Sequence, residues 1–127
     1  MYKVIVFAGT TEGYEISRFL GENQIPVLAC VATEYGSRSL KESSSLHVQA
    51  GRLDENEMKE LFSREKPELV LDATHPYAAE VTRNIRKACE EAEVSYTRIL
   101  RTGSGQQNAV YVLSLIHISE PTRQEAI

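Results

Sequence analysis

From its first residues this chain alternates short β-branched runs with amphipathic stretches, and that alternation leaves few folds open. Apolar runs at 3–8 (KVIVFA), 26–32 (PVLACVA), 46–50 (LHVQA), 69–73 (LVLDA) and 95–100 (SYTRIL) are separated by segments of helical periodicity. Strands joined through helices pair in parallel, because parallel neighbours need a long crossover. The runs are nearly continuous in apolar character, which predicts strands covered by helices on both faces. The expected fold is a Rossmann-like three-layer α/β domain with a five-stranded parallel sheet. Right-handed crossovers put the strands in the order 3-2-1-4-5 and open a crevice where the order reverses, beyond the C-terminal ends of strands 1 and 4.

The helices carry their own punctuation. The first, near residues 11–22, buries Ile16, Phe19 and Leu20 and is expected to stop close to Gly21. Another opens with Asp54-Glu55-Asn56-Glu57, where Asp54 can cap free amides and Glu57 can reach back. It runs through Met58, Leu61 and Phe62 and ends before Pro67. The longest is expected to begin at Pro76, since proline suits a first helical turn. Its inward stripe reads Ala78, Val81, Ile85, Ala88, Cys89 and Ala92.

Composition narrows the partners. The net charge is -4 with 25% charged residues, which points to neither nucleic acid nor an anionic membrane. No run approaches the roughly 20 apolar residues that span a bilayer, and the N-terminal run is too short for a signal peptide, so a cytoplasmic protein is expected. Cys30 and Cys89 lie in apolar segments without CxxC spacing and read as buried, reduced thiols; no metal site is expected.

The texture changes after Arg101. Residues 1–101 read as the α/β domain, and 102–112 as a glycine-containing polar linker leading into the start of a truncated second domain. Residues 113–127 form a tail whose first part, Leu113-Ser114-Leu115-Ile116-His117-Ile118-Ser119-Glu120-Pro121-Thr122-Arg123, matches one frame of a transposase sequencing adapter. That tail is expected to be non-native.

Two loops concentrate the chemistry. Gly9-Thr10-Thr11-Glu12-Gly13 joins strand 1 to the first helix, where glycines admit a phosphate to the backbone and the helix N-terminus offers unpaired amides. It is neither G-x-G-x-x-G nor a P-loop, and a tight structural turn is the competing reading. Asp72-Ala73-Thr74-His75-Pro76-Tyr77-Ala78 puts a histidine and a tyrosine at the mouth of strand 4. There His75 could donate a proton or bind a carboxylate. The plainer alternative has Thr74 or His75 capping the helix and Tyr77 packing on it. Asp72 reads as an orienting acceptor for neighbouring amides. After strand 2, Thr33-Glu34-Tyr35-Gly36-Ser37-Arg38 contains both an acid, which favours NAD, and Thr33, Ser37 and Arg38, which could hold a 2′-phosphate. From these residues the choice stays open.

The glycine loop, Val31-Ala32-Thr33-Glu34-Tyr35-Gly36, Gly51-Arg52-Leu53-Asp54 and the His75 loop occur in an order and spacing that resembles the precorrin-6A reductase family, including its cobalt-precorrin branch. The likeness runs from residue 2 to about Val112, and the His75 motif is its most specific part. The resemblance implies NADPH-dependent reduction of one carbon–carbon double bond of the precorrin-6A macrocycle in cobalamin synthesis. It implies NADPH contacts at Gly9, Thr10, Thr11 and Thr33, and the residues of the glycine loop and of the stretch after strand 2 add Glu12, Gly13 and Arg38 as cofactor-binding candidates. A carboxylate-rich tetrapyrrole needs cations and donors on the crevice rim. His75 and Tyr77 are the catalytic candidates, and Arg52, Arg98 and Arg101 the substrate-binding ones, with solvated surface charge as the competing reading for each arginine.

Two departures stand out: Ala8 where the family often has glycine, and Tyr14 where an arginine or similar polar residue is common. Family members are much longer, so a missing C-terminal domain that closes the cleft is implied, and the isolated chain is not expected to turn over alone. The alternative of a different class is a non-catalytic NAD(P)-binding module. A short-chain dehydrogenase fits poorly, because Tyr14, Tyr35 and Tyr77 are followed four places later by Arg18, Ser39 and Val81 rather than by lysine.

Overall fold

A computed structural model describes residues 2–38 and 40–99. Its elements run β1 (Val4–Ala8), α1 (Thr11–Glu22), β2 (Val27–Val31), α2 (Glu34–Arg38), β3 (Leu46–Ala50), α3 (Glu55–Glu65), β4 (Leu69–Ala73), α4 (Ala79–Ala92) and β5 (Tyr96–Arg98). The five strands form one parallel sheet in the order β3-β2-β1-β4-β5, as the alternation predicts. Every residue of β1, β2 and β4 is buried, which is why these strands read as unbroken apolar runs.

Alternate strand residues feed two cores. Val4, Val6, Val27, Ala29 and Leu71 pack with Ile16 and Leu20 of α1 on one face. On the other, Ile5, Phe7, Leu28 and Val70 pack with Met58, Leu61 and Phe62 of α3 and Ile85 and Cys89 of α4. Phe62, with no exposure, meets Phe7 edge-on at a ring separation of 6.0 Å. Such a burial stabilises the fold by roughly 1.5–3 kcal/mol. Among the described residues no helix is long and apolar enough to cross a membrane.

The expected capping box of α3 is present: Asp54 Oδ1 accepts from the Glu57 amide and Glu57 Oε1 from the Asp54 amide, both at 2.8 Å. The first helix ends at Glu22, close to Gly21 as expected; a Cβ on Gly21 would lie 3.0 Å from the Leu46 Cβ, and the chain leaves the helix through a left-handed Gln24. The stretch after β2 forms the short helix α2, whose entry is capped by Thr33 Oγ1 accepting from the Gly36 amide at 3.1 Å. Five residues are too few to show a helical period.

The last helix begins at Ala79 rather than Pro76. The Ala78 amide donates to the His75 carbonyl at 2.9 Å, so Pro76 and Tyr77 occupy a turn and the helix opens only after it. No side chain caps α4, which removes the capping role considered for Thr74 and His75. Arg101, the proposed linker 102–112 and the tail 113–127 lie outside the described residues.

Candidate functional site

The β1–α1 and β4–α4 loops meet at one end of the sheet. The Gly9 amide donates to the Ala73 carbonyl at 3.1 Å, and Thr10 Oγ1 donates to the same oxygen at 2.9 Å. A side chain on Gly9 would place its Cβ 3.3 Å from the Thr74 Cα, so glycine allows this approach. Gly13 is tighter still: a Cβ there would lie 2.9 Å from both the Ala73 Cβ and the Ala8 Cα. Gly13 thus seats the first turn of α1 directly on the ends of β1 and β4.

Two cavities open around this junction. One, of about 580 Å³, lies on the α1 side and is lined by Gly9, Thr11, Glu12, Tyr14, His75 and Tyr77 among others. The second, of about 510 Å³, lies on the α3–α4 side, with Cys30, Val31, Ala32, Arg52, Leu53 and Val81 in its walls. Gly9, Thr74 and His75 line both. Their sizes suit small-molecule ligands. The sharing of those three residues satisfies the expectation that the two distinctive loops face one crevice.

The glycine loop divides into supporting and outward-facing residues. Thr10 caps α1 by accepting from the Gly13 amide at 3.3 Å, and its one hydroxyl hydrogen already goes to Ala73. Thr11 is exposed at the first helical position, where amides lack intrahelical acceptors. Glu12 is buried and Gly13 is fully packed. An anion at this end would therefore meet the Thr11 hydroxyl and the positive end of the helix dipole, while the Gly13 amide is already taken by Thr10. That donor set fits a dinucleotide pyrophosphate.

The other loop is held from beneath. Asp72 has no exposure, yet its carboxylate accepts from the Thr74 amide at 3.1 Å, Thr74 Oγ1 at 2.7 Å, Tyr96 OH at 2.8 Å and Arg98 Nη1 at 3.0 Å. A buried charge requires such compensation. Arg98 Nη1 also lies 2.9 Å from the Thr74 carbonyl, so the residue before His75 is tied to β5. Burial, then the hydrogen bond to Asp72 and its negative charge, push the Tyr96 hydroxyl well above its ordinary ionisation range. Asp72 is the orienting acceptor that its position suggests.

Above this support, His75 and Tyr77 are exposed. Their rings lie 4.9 Å apart and 31° from parallel, and Tyr77 is 90% exposed rather than packed on the helix. His75 Nδ1 accepts from the Tyr77 amide at 3.2 Å, which assigns the neutral ring's hydrogen to Nε2. The imidazole therefore has a donor free to face a ligand.

The remaining candidates divide. Arg52 is exposed and lines the second cavity together with His75, whereas Tyr77 lines only the first. Thr33 and Arg38 line neither cavity; Thr33 serves the entry of α2, and Arg38 is exposed at its end. Arg98 is a strut within the protein, with one guanidinium nitrogen among Asp72 and Thr74 oxygens. Tyr96 was not foreseen. Its signal lay in Tyr96-Thr97-Arg98, where alternate residues of β5 share a face and Arg98 pairs in register with Asp72. Gly36, part of the motif after strand 2, packs closely: a Cβ there would lie 2.9 Å from the Tyr14 hydroxyl.

Comparison with known proteins agrees with this geometry. A family model described as Precorrin-6x reductase CbiJ/CobK matches residues 3–119, a span that takes in the opening of the tail read as adapter sequence. A cobalt-precorrin-6A reductase of Methanothermobacter thermautotrophicus is 34% identical over 124 residues, covering 89% of this chain and 41% of that protein. The same enzyme of Methanocaldococcus jannaschii is 30% identical over 112 residues, covering 86% and 45%. A solved structure described as CobK precorrin-6A reductase superposes with a TM-score of 0.67 at 25% identity, over 80% of this chain and 40% of that one. The chain thus spans less than half the length of these relatives.

Proposed function

Because the chain belongs to the precorrin-6x reductase family, we propose that it forms the nucleotide-binding part of an oxidoreductase that uses NADPH to reduce one carbon–carbon double bond of precorrin-6A or its cobalt complex in cobalamin biosynthesis. The observation that carries this reading is the sharing of Gly9, Thr74 and His75 by two cavities at the sheet's switch point. Residues of both cavities would then hold a dinucleotide, with its phosphates near the N-terminal end of α1.

Bound NADPH supplies the hydride, and the protein supplies placement and protons. The Thr11 hydroxyl, at the N-terminal end of α1, would hold phosphate. Val31, Ala32, Leu53 and Val81 offer an apolar wall to the adenosine half. His75 and Tyr77 line the α1-side cavity, which supports a role for the His75 Nε2 and the Tyr77 hydroxyl in binding the substrate's carboxylates or delivering a proton. The relatives are more than twice as long as the part this chain matches, so nucleotide binding is assigned to the residues described above and nothing to the relatives' further length.

Titration calorimetry of the 127-residue chain with NADPH and with NADH tests the reading. NADPH is expected to bind the more tightly. No heat with either nucleotide would remove the nucleotide-binding assignment, and equal affinity would remove the preference for NADPH.

A further inference from the structure

We propose that Arg52, swung over the α3–α4-side cavity by the turn at Gly51, binds the 2′-phosphate of NADPH and thereby sets the preference for NADPH over NADH. The inference rests on the nucleotide reading above and gives the 2′-phosphate to Arg52, which the sequence suggests for substrate, in place of Thr33, Ser37 and Arg38. Three features of the second cavity lead to it.

The end of β3 is locked beside the end of β2. Val31 pairs with Ala50, and the Gly51 amide donates to the Val31 carbonyl at 2.9 Å. In parallel sheets of this kind the adenosine ribose is read at the end of the second strand. Arg52 thus stands where that ribose is read, although it follows β3 in sequence. Gly51 adopts φ +116°, a conformation that L side chains rarely adopt, and this turn redirects the chain so that Arg52 borders the crevice.

Arg52 is also the one cation among the described residues that lines either cavity. No ion pair or hydrogen bond engages it among the described residues, so its guanidinium is available to an anion. The acids in the same wall, Asp54, Glu57 and Glu80, lie at the N-terminal ends of α3 and α4. There the helix dipoles offset their charge, and two of them are held in the capping box. An anion entering this cavity has Arg52 as its partner and carboxylates elsewhere, which confines the phosphate to the β2–β3 corner. Arg38 is exposed at the end of α2 and lines neither cavity.

The test compares Arg52→Gln and Arg38→Gln with the unaltered chain, titrating each with NADPH, NADH, adenosine 2′,5′-bisphosphate and AMP. Loss of one charge-assisted contact predicts a fall of roughly tenfold to a hundredfold in NADPH affinity for Arg52→Gln. NADH and AMP affinities should be unchanged, and the advantage of the bisphosphate over AMP should vanish. Equal loss for NADPH and NADH would overturn the proposal in favour of stacking on the adenine or a pyrophosphate contact. Unchanged affinities for Arg52→Gln, or selective loss in Arg38→Gln instead, would also overturn it. An unaltered chain that binds no nucleotide would defeat the parent reading itself, an outcome separate from these.

Discussion

Arg98 Nη1 lies 3.0 Å from the carboxylate of Asp72, a side chain with no exposure, and 2.9 Å from the carbonyl of Thr74. This one nitrogen joins the last residue of β5 to the loop that carries His75. The pair sits at the edge of the cavity rather than in it, so its first consequence is for stability. Arg98→Met leaves Asp72 buried without its counter-charge, which predicts a loss of about 3–5 kcal/mol in urea unfolding. The double variant with Asp72→Asn should lose less than the sum of the two single changes, since both remove one interaction. Additive losses would show that the two groups are not coupled.

Gly13→Ala should be costly for a steric reason. Its Cβ would sit 2.9 Å from both the Ala73 Cβ and the Ala8 Cα, atoms that belong to packed strands and cannot swing aside. Overpacking of this kind costs about 1–3 kcal/mol. The same displacement moves the first turn of α1, so nucleotide affinity should fall along with the urea midpoint. A variant that keeps both would mean that the sheet end is softer than its packing implies.

Alkaline pH should weaken the fold through its thiols. Burial pushes Cys30 and Cys89 up to about 12, with the nearby Asp72 charge adding to the effect at Cys89. In the unfolded chain both ionise near 8.5. Below that pH the two states hold the same thiol protons and the contribution is fully present. Above it the unfolded chain releases protons that the folded one retains, so stability declines until the pH passes about 12. The slope is roughly 1.4 kcal/mol per pH unit for each thiol at most. Urea midpoints from pH 8 to pH 11 should fall more steeply for the unaltered chain than for a Cys30→Ala, Cys89→Ala variant. Parallel slopes would contradict the burial of these protons.

If the proposed reaction holds, His75→Ala should lower turnover or raise the KM for the tetrapyrrole while NADPH affinity changes little. His75→Asn keeps a side-chain acceptor for the Tyr77 amide but not the imidazole Nε2. It should preserve the turn and still lose turnover, which separates chemistry from loop shape. Steady-state constants like those of the unaltered enzyme in both variants would remove His75 from the reaction.

Much of the α/β design could be read directly. The strand order followed from alternation and crossover handedness, and the capping box of α3 from Asp54 and Glu57 alone, because these signals are local or follow from chain topology. Short-range turns were harder. Pro76 suggested a helix start by its own preference, but the hydrogen bond from Ala78 to His75 closes a turn first. The helix α2 escaped because its five residues carry no period.

The site was partly legible for the same reason. That Gly9-to-Gly13 and Thr74-to-Tyr77 share a crevice follows from strand order, which the amino-acid sequence by itself determined through the spacing of its apolar runs. The partners of individual side chains are another matter. That Thr10 spends its hydroxyl hydrogen on Ala73, that Arg98 braces Asp72 and that Arg52 borders the α3–α4-side cavity depend on residues tens of positions apart. Only the tertiary structure decided those pairings, because a side chain's reach and direction are set by the register of neighbouring strands, and a hydrogen bond across them leaves no periodic trace along the chain.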